Sequence, residues 1–120
     1  MIEEYFLQVE KTVQEFPLIR SYALNKKIYN NQQGMIGGRI VFENESSLEF
    51  LEVVDTELEN KLKYRYHYMD GVQTLIFRYD NAPHHPQVDS FPHHKHTKQE
   101  IQASKEPSLS IVLFEIASQT

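Results

Sequence analysis

Residues 63–80, KYRYHYMDGVQTLIFRYD, constrain the fold more than any other stretch of the chain. Tyr64, Tyr66 and Tyr68 alternate with Arg65, His67 and Met69; further on, Leu75, Phe77 and Tyr79 alternate with Ile76 and Arg78. A period of two puts the tyrosines on one side of a strand, whereas a helix would scatter them. Asp70-Gly71, between the two runs, is the dipeptide of a two-residue hairpin turn. With that turn, Tyr66 faces Leu75 and Tyr64 faces Phe77 on an apolar-aromatic face. Arg65, His67, Arg78 and, at the rim, Asp80 share the opposite face. A similar turn at Glu59-Asn60 would set Glu52 beside His67 on that second face, although a slip of one residue exchanges the faces.

The remaining elements assemble around this hairpin. Ile2, Tyr5, Phe6, Val9, Val13 and Phe16 form an apolar stripe at helical spacing, and Pro17 ends the helix. Residues 19–30 read as extended, 30–34 as a hairpin loop and 35–43 as a second strand. Gly37-Gly38 lies inside that strand without the flanking residues of a phosphate-binding loop, so it marks a bulge or a close backbone approach. Residues 44–47 make the next turn, leading into a strand over 48–56, while 98–103 is too short to assign. Pro107 opens a last helix with Leu109, Val112, Leu113 and Ile116 on one stripe and Ile111 and Phe114 elsewhere. Apolar residues on more than one side fit either a deeply buried terminal helix or a helix that contacts a second chain. The expected architecture is α+β: an antiparallel meander of about five strands packed by an N-terminal and a C-terminal helix, with a His/Pro-rich loop, in a single domain over 1–120.

Composition narrows the function. A chain of 120 residues can bury one core, and 40% hydrophobic content is ordinary for a globular protein. No apolar run reaches the roughly 20 residues of a membrane-spanning helix, and the acidic start MIEEYFLQVEK is unlike a secretory signal. The lack of cysteine excludes disulfides and thiolate metal sites and is compatible with a cytoplasmic setting. A net charge of −5 has the wrong sign for broad capture of long nucleic acid, so a short or compact nucleotide, or a protein, suits it better.

Five of the six histidines, His84, His85, His93, His94 and His96, fall within residues 78–96, RYDNAPHHPQVDSFPHHKH. Pro83, Pro86 and Pro92 stiffen this stretch, which reads as a non-helical loop with Arg78 and Asp80 at its entrance. Imidazole is the side chain most used near neutral pH as general acid, general base or metal ligand. Three readings follow. In metal-free RNA cleavage, one neutral histidine takes the ribose 2′ proton, a protonated one assists the leaving oxygen, and Arg78, Lys95 or Arg65 holds the phosphate, with His67 in support. In the second, a divalent metal sits on His94 and His96, two apart, or on His93 and His96, three apart, with Asp80 and then His84, His85 or Asp89 to complete the site. In the third, the rings and prolines cap the core. Tyr64, Tyr66 and Tyr68 could stack bases, but at strand spacing they belong to the core.

RYDNAPHHP followed by FPHHKH, after the YxYHYxDG hairpin and before an acidic-apolar C-terminal helix, resembles the TumE family of prokaryotic toxins. The resemblance covers nearly the whole chain and implies a small toxin encoded beside a helix-turn-helix antitoxin. Together with the histidines it leads to the expectation of a ribonuclease or RNA phosphodiesterase, acting on RNA or on short or cyclic oligoribonucleotides. No cofactor is required on that reading, a divalent metal being the alternative. The rival expectation is a non-enzymatic toxin that binds a host protein. In either case Ile111 and Phe114 would contact the antitoxin or a second copy in a homodimer.

Overall fold

The computed structural model describes residues 1–119, in which the alternating segments become one antiparallel sheet. Helix α1 (Ile2–Glu15) leads into β1 (Ile19–Ile28), β2 (Gln33–Phe42), β3 (Ser47–Asp55), β4 (Lys63–Met69), β5 (Leu75–Asp80), β6 (His94–Thr97) and β7 (Ile101–Ala103), and α2 (Leu109–Ser118) follows. Each strand pairs with its neighbour in sequence, so the strands lie across the sheet in chain order. The α+β class is as expected, with seven strands among the described residues rather than about five. The two extra strands, HKHT and IQA, are too short and polar to announce themselves by alternation. Arg78 and Asp80 stand on β5 as expected, whereas His94 and His96, expected in a loop, stand on β6, so only residues 81–93 are loop.

Local chemistry explains the element ends. The residue before a proline is pushed out of the α region, and Phe16, at φ −79° and ψ 122°, closes α1 ahead of Pro17. Helix α2 starts two residues later than Pro107 suggests. Ser108 is its cap, and its Oγ accepts the Ile111 N–H at 3.2 Å, satisfying one of the amides a helix start leaves bare. The Gly37-Gly38 pair sits at a close approach: a Cβ on Gly38 would meet the Ala23 carbonyl oxygen at 2.2 Å, and one on Gly37 the Phe50 carbonyl oxygen at 2.6 Å.

The core lies between the helices and one face of the sheet. Ile2, Phe6, Val9 and Val13 of α1 and Leu109, Val112, Leu113 and Ile116 of α2 pack with Ile36, Ile40, Leu48, Phe50, Tyr64, Tyr66, Tyr68 and Phe77. Burying one such side chain fully stabilises the fold by about 1.5–3 kcal/mol relative to leaving it in water. The three tyrosines take part as core residues with anchored hydroxyls; Tyr68, for example, donates to Ser46 Oγ at 2.7 Å. No helix among the described residues is long and apolar enough to cross a membrane.

Two registers differ from the sequence reading. Tyr66 stands opposite Tyr79 and Tyr68 opposite Phe77, because the turn after β4 runs from Asp70 to Thr74 and the register shifts beside Met69. Asp70 Oδ1 accepts the N–H groups of Val72 and Thr74, which favours this wider turn over the two-residue one. The displacement is an even number of residues, so the expected faces survive. The β3–β4 pairing moves by an odd step instead. Glu49, not Glu52, lies opposite His67, and Glu52 points into the core opposite Tyr64.

Candidate functional site

The face of the sheet away from the helices carries the chemistry. Across the strands, Ala23, Arg39, Glu49, His67, Arg78, His96 and Ile101 form one register row. Asn25, Gly37, Leu51, Arg65, Asp80, His94 and Ala103 form the row beside it. A shallow groove follows these rows. It is lined first by Gly37, Arg39, Glu49, Leu51 and Arg65, then by Glu49, Arg65, His67 and Arg78. Arg39 donates to Glu49 at 2.9 Å and Arg78 Nε to Asp80 Oδ2 at 2.9 Å, while Arg65 is exposed and has no ion-pair partner among the described residues.

Three imidazoles meet where the rows reach β6. His94 and His96, two apart on the strand, share a face, and the loop folds back to bring in His85. The ring centroids lie 4.7 Å apart for His94–His96, 4.9 Å for His85–His94 and 5.4 Å for His85–His96, with planes inclined by 71–76°. One ring nitrogen from each lies within 4.8 Å of the others. His94 is buried, with Nδ1 2.9 Å from the Pro92 carbonyl oxygen and Nε2 2.8 Å from Asp80 Oδ1. His96 Nε2 is 3.7 Å from Asp80 Oδ2. Asp80, itself buried, also accepts the Ala82 N–H at 3.0 Å. This carboxylate therefore joins the strand end, the loop entrance, the arginine and two histidines.

The loop is held by its own turns, as His84, Val88, Phe91 and His93 each donate a backbone N–H to a carbonyl two or three residues earlier. The hydroxyl of Ser90 fastens it to the sheet, donating to the His93 carbonyl at 2.5 Å and accepting the Ser104 N–H at 2.9 Å.

Burial first, and then the neighbouring His94, lowers the pKa of His96. Burial and then Arg78 lower that of His67, whose Nδ1 is buried without a hydrogen-bond partner. Both effects favour the neutral ring, the form that can take up a proton or bind a metal.

The other expected site residues lie apart from the triad. His84 is exposed on the loop. His93 turns to the far side, stacks on Tyr64 at 5.8 Å and shares a 2.8 Å hydrogen bond with its hydroxyl. Lys95 points from β6 into the helix side, donating to Glu115 Oε2 at 2.7 Å and covering the Phe77 and Tyr79 rings. Asp89 is exposed and has no part in the cluster. Sequence reasoning missed Glu49, Arg39 and the latch Ser90. A correct β3–β4 register would have found Glu49, whereas nothing in the spacing singles out Ser90.

Fold and site together define a small α+β protein with a three-imidazole centre at the end of an arginine-lined sheet face. The family model described as Toxin TumE matches residues 9–120, nearly the whole chain. The chain belongs to this toxin family, and the family implies an antitoxin partner. No curated protein and no solved structure matches it.

Proposed function

We propose that this toxin cleaves RNA phosphodiester bonds, with His85, His94 and His96 as the reactive centre and the groove along Arg65, His67 and Arg78 as the seat of the RNA backbone. The observation that carries this reading is the meeting of three imidazoles beside the Arg78–Asp80 pair at the end of an open, partly cationic face. In the reaction, the ribose 2′ oxygen attacks phosphorus, the new P–O bond forms and the P–O5′ bond breaks. The 2′ proton passes to a neutral imidazole of the cluster or to a base held on it, and the leaving 5′ oxygen takes a proton from a second group there. Positioned acid–base groups of this kind contribute about 10²–10⁴-fold each. A guanidinium in the groove offsets the charge that builds on the phosphate.

The net charge of −5 favours short, cyclic or compactly folded oligoribonucleotides over long duplexes. A cytoplasmic site of action, where such substrates lie, completes this reading. The antitoxin, a helix-turn-helix protein on this proposal, covers the exposed side of α2, where Ile111 and Phe114 are 57% and 73% exposed; a second copy of the chain is the competing occupant.

The test is a panel of RNAs and cyclic oligoribonucleotides incubated with the wild-type protein and with the His85→Ala/His96→Ala variant. Cleavage that falls by about 10²-fold or more in the folded variant supports the proposal. Undiminished cleavage by the variant refutes the assignment of the site. No cleavage of any substrate by the wild type, with toxicity intact, leaves the non-enzymatic reading in its place.

A further inference from the structure

We propose that His85, His94, His96 and Asp80 bind one divalent transition-metal ion, and that zinc suits this donor set best. The inference does not rest on the RNA reading, because it concerns what the side chains can hold. A tetrahedral zinc with Zn–N bonds of about 2.0–2.1 Å places imidazole centres about 3.2 Å from the metal and hence about 5.2 Å from one another. The observed centre-to-centre distances of 4.7, 4.9 and 5.4 Å bracket that value. Three rings inclined at 71–76° are arranged as rings are around a common point rather than as a parallel stack. The ligating nitrogens, up to 4.8 Å apart, need only small side-chain rotations to reach the roughly 3.3 Å edge of a zinc tetrahedron.

His94 carries the argument further. Its ring is buried, and both of its nitrogens face acceptor oxygens, the Pro92 carbonyl at 2.9 Å and Asp80 at 2.8 Å. With Nδ1–H donating to the carbonyl, Nε2 presents a lone pair towards a carboxylate. A metal ion bound by both groups would fit once this 2.8 Å contact widens to about 3.3 Å, a change of side-chain torsion alone. A metal-binding histidine commonly donates its other N–H to a backbone carbonyl, which fixes the tautomer and aims the lone pair. Asp80 is oriented in the same way, held by the Ala82 N–H at 3.0 Å and the Arg78 guanidinium at 2.9 Å. Three imidazoles and one carboxylate suit zinc and its first-row neighbours, whereas calcium and magnesium prefer all-oxygen sites.

The experiment uses the full chain, purified without a histidine tag and stripped with chelator. Zinc is titrated in by calorimetry, bound metal is counted by elemental analysis after dialysis, and cobalt(II) serves as a visible probe of tetrahedral nitrogen–oxygen ligation. The expected result is one zinc per chain. His85→Ala and His96→Ala should each weaken binding by about 100-fold or more, at or beyond the upper end of the 10–100-fold cost of losing an outer-shell partner. His84→Ala serves as the control for loose surface histidines and should keep full binding. Circular dichroism checks that each variant is folded; His94 is left alone because its burial makes a folding defect the first consequence of truncation. Less than half an equivalent of zinc on the wild type, binding unchanged in both cluster variants, or equal loss in His84→Ala overturns the proposal. Metal-free protein that cleaves RNA at full rate and takes up no zinc refutes the metal site while leaving the RNA reading intact. Stoichiometric zinc on a protein that cleaves nothing does the reverse.

Discussion

Asp80→Ala is the most informative single change, because one buried carboxylate holds together the parts of the site. Oδ1 accepts the Ala82 N–H and faces His94 Nε2, and Oδ2 accepts Arg78 Nε. Losing the acceptor of the buried His94 ring costs about 1–3 kcal/mol, and losing the backbone hydrogen bond a further 0.5–1.5 or so. The Arg78 pair adds little, since the arginine side chain is 37% exposed and screened by water. Together these come to about 1.5–4.5 kcal/mol. For a chain of 120 residues this lowers Tm by about 5–20 °C. Asp80→Asn, with its carbonyl oxygen in the place of Oδ1, keeps the acceptor for the Ala82 N–H and for a His94 Nε2–H and loses only the half-exposed Arg78 pair, so it should cost only about 1 kcal/mol. Thermal and urea unfolding in the presence of chelator separate the two variants while keeping metal binding out of the measurement. An Asp80→Ala protein within about 1 kcal/mol of the wild type would mean that Asp80 does not join these elements.

Three further outcomes follow from other parts of the fold. Glu52 is fully buried and accepts the hydroxyls of Tyr5 and Tyr66, the latter at 2.5 Å, so Tyr66→Phe should cost about 1.5–3 kcal/mol in urea unfolding; a cost below 0.5 or so would refute this. The pKa of His67 is lowered in the fold, so the unfolded chain takes up its proton first. This histidine's contribution is therefore complete above about pH 6.5 and is lost as the pH falls through that value towards the folded pKa. His67→Gln should flatten the fall in stability between about pH 7 and 5, and an unchanged slope would count against the assignment. Phe114→Glu, on the exposed side of α2, should weaken antitoxin binding in calorimetry by about tenfold or more without lowering Tm, and undiminished affinity would place the antitoxin elsewhere.

Much of this protein is legible in the chain because its physics is local. Alternation over residues 63–80 requires strands, the stripes of α1 and α2 select their buried sides, and Pro17 sets where α1 stops. The faces of Arg65, His67 and Arg78 follow from parity and survive a shifted register. The family, too, is legible in the chain: the resemblance read from its hairpin and histidine-proline stretch agrees with the family model that matches residues 9–120. Assembly of the site is a different matter, because it depends on which strands pair and in what step. A spacing of two puts His94 and His96 on one face and necessarily sends Lys95 to the other, yet only the β5–β6 pairing sets Asp80 opposite His94 and Arg78 opposite His96. Nothing in HHP, where His84 and His85 are neighbours, says which ring turns inward. The path of the loop, fastened through Ser90, brings in His85 and leaves His84 in water. An odd step between β3 and β4 likewise moves Glu52 into the core and puts Glu49 beside His67, since a strand's two faces differ by a single residue and only the packed sheet fixes the count.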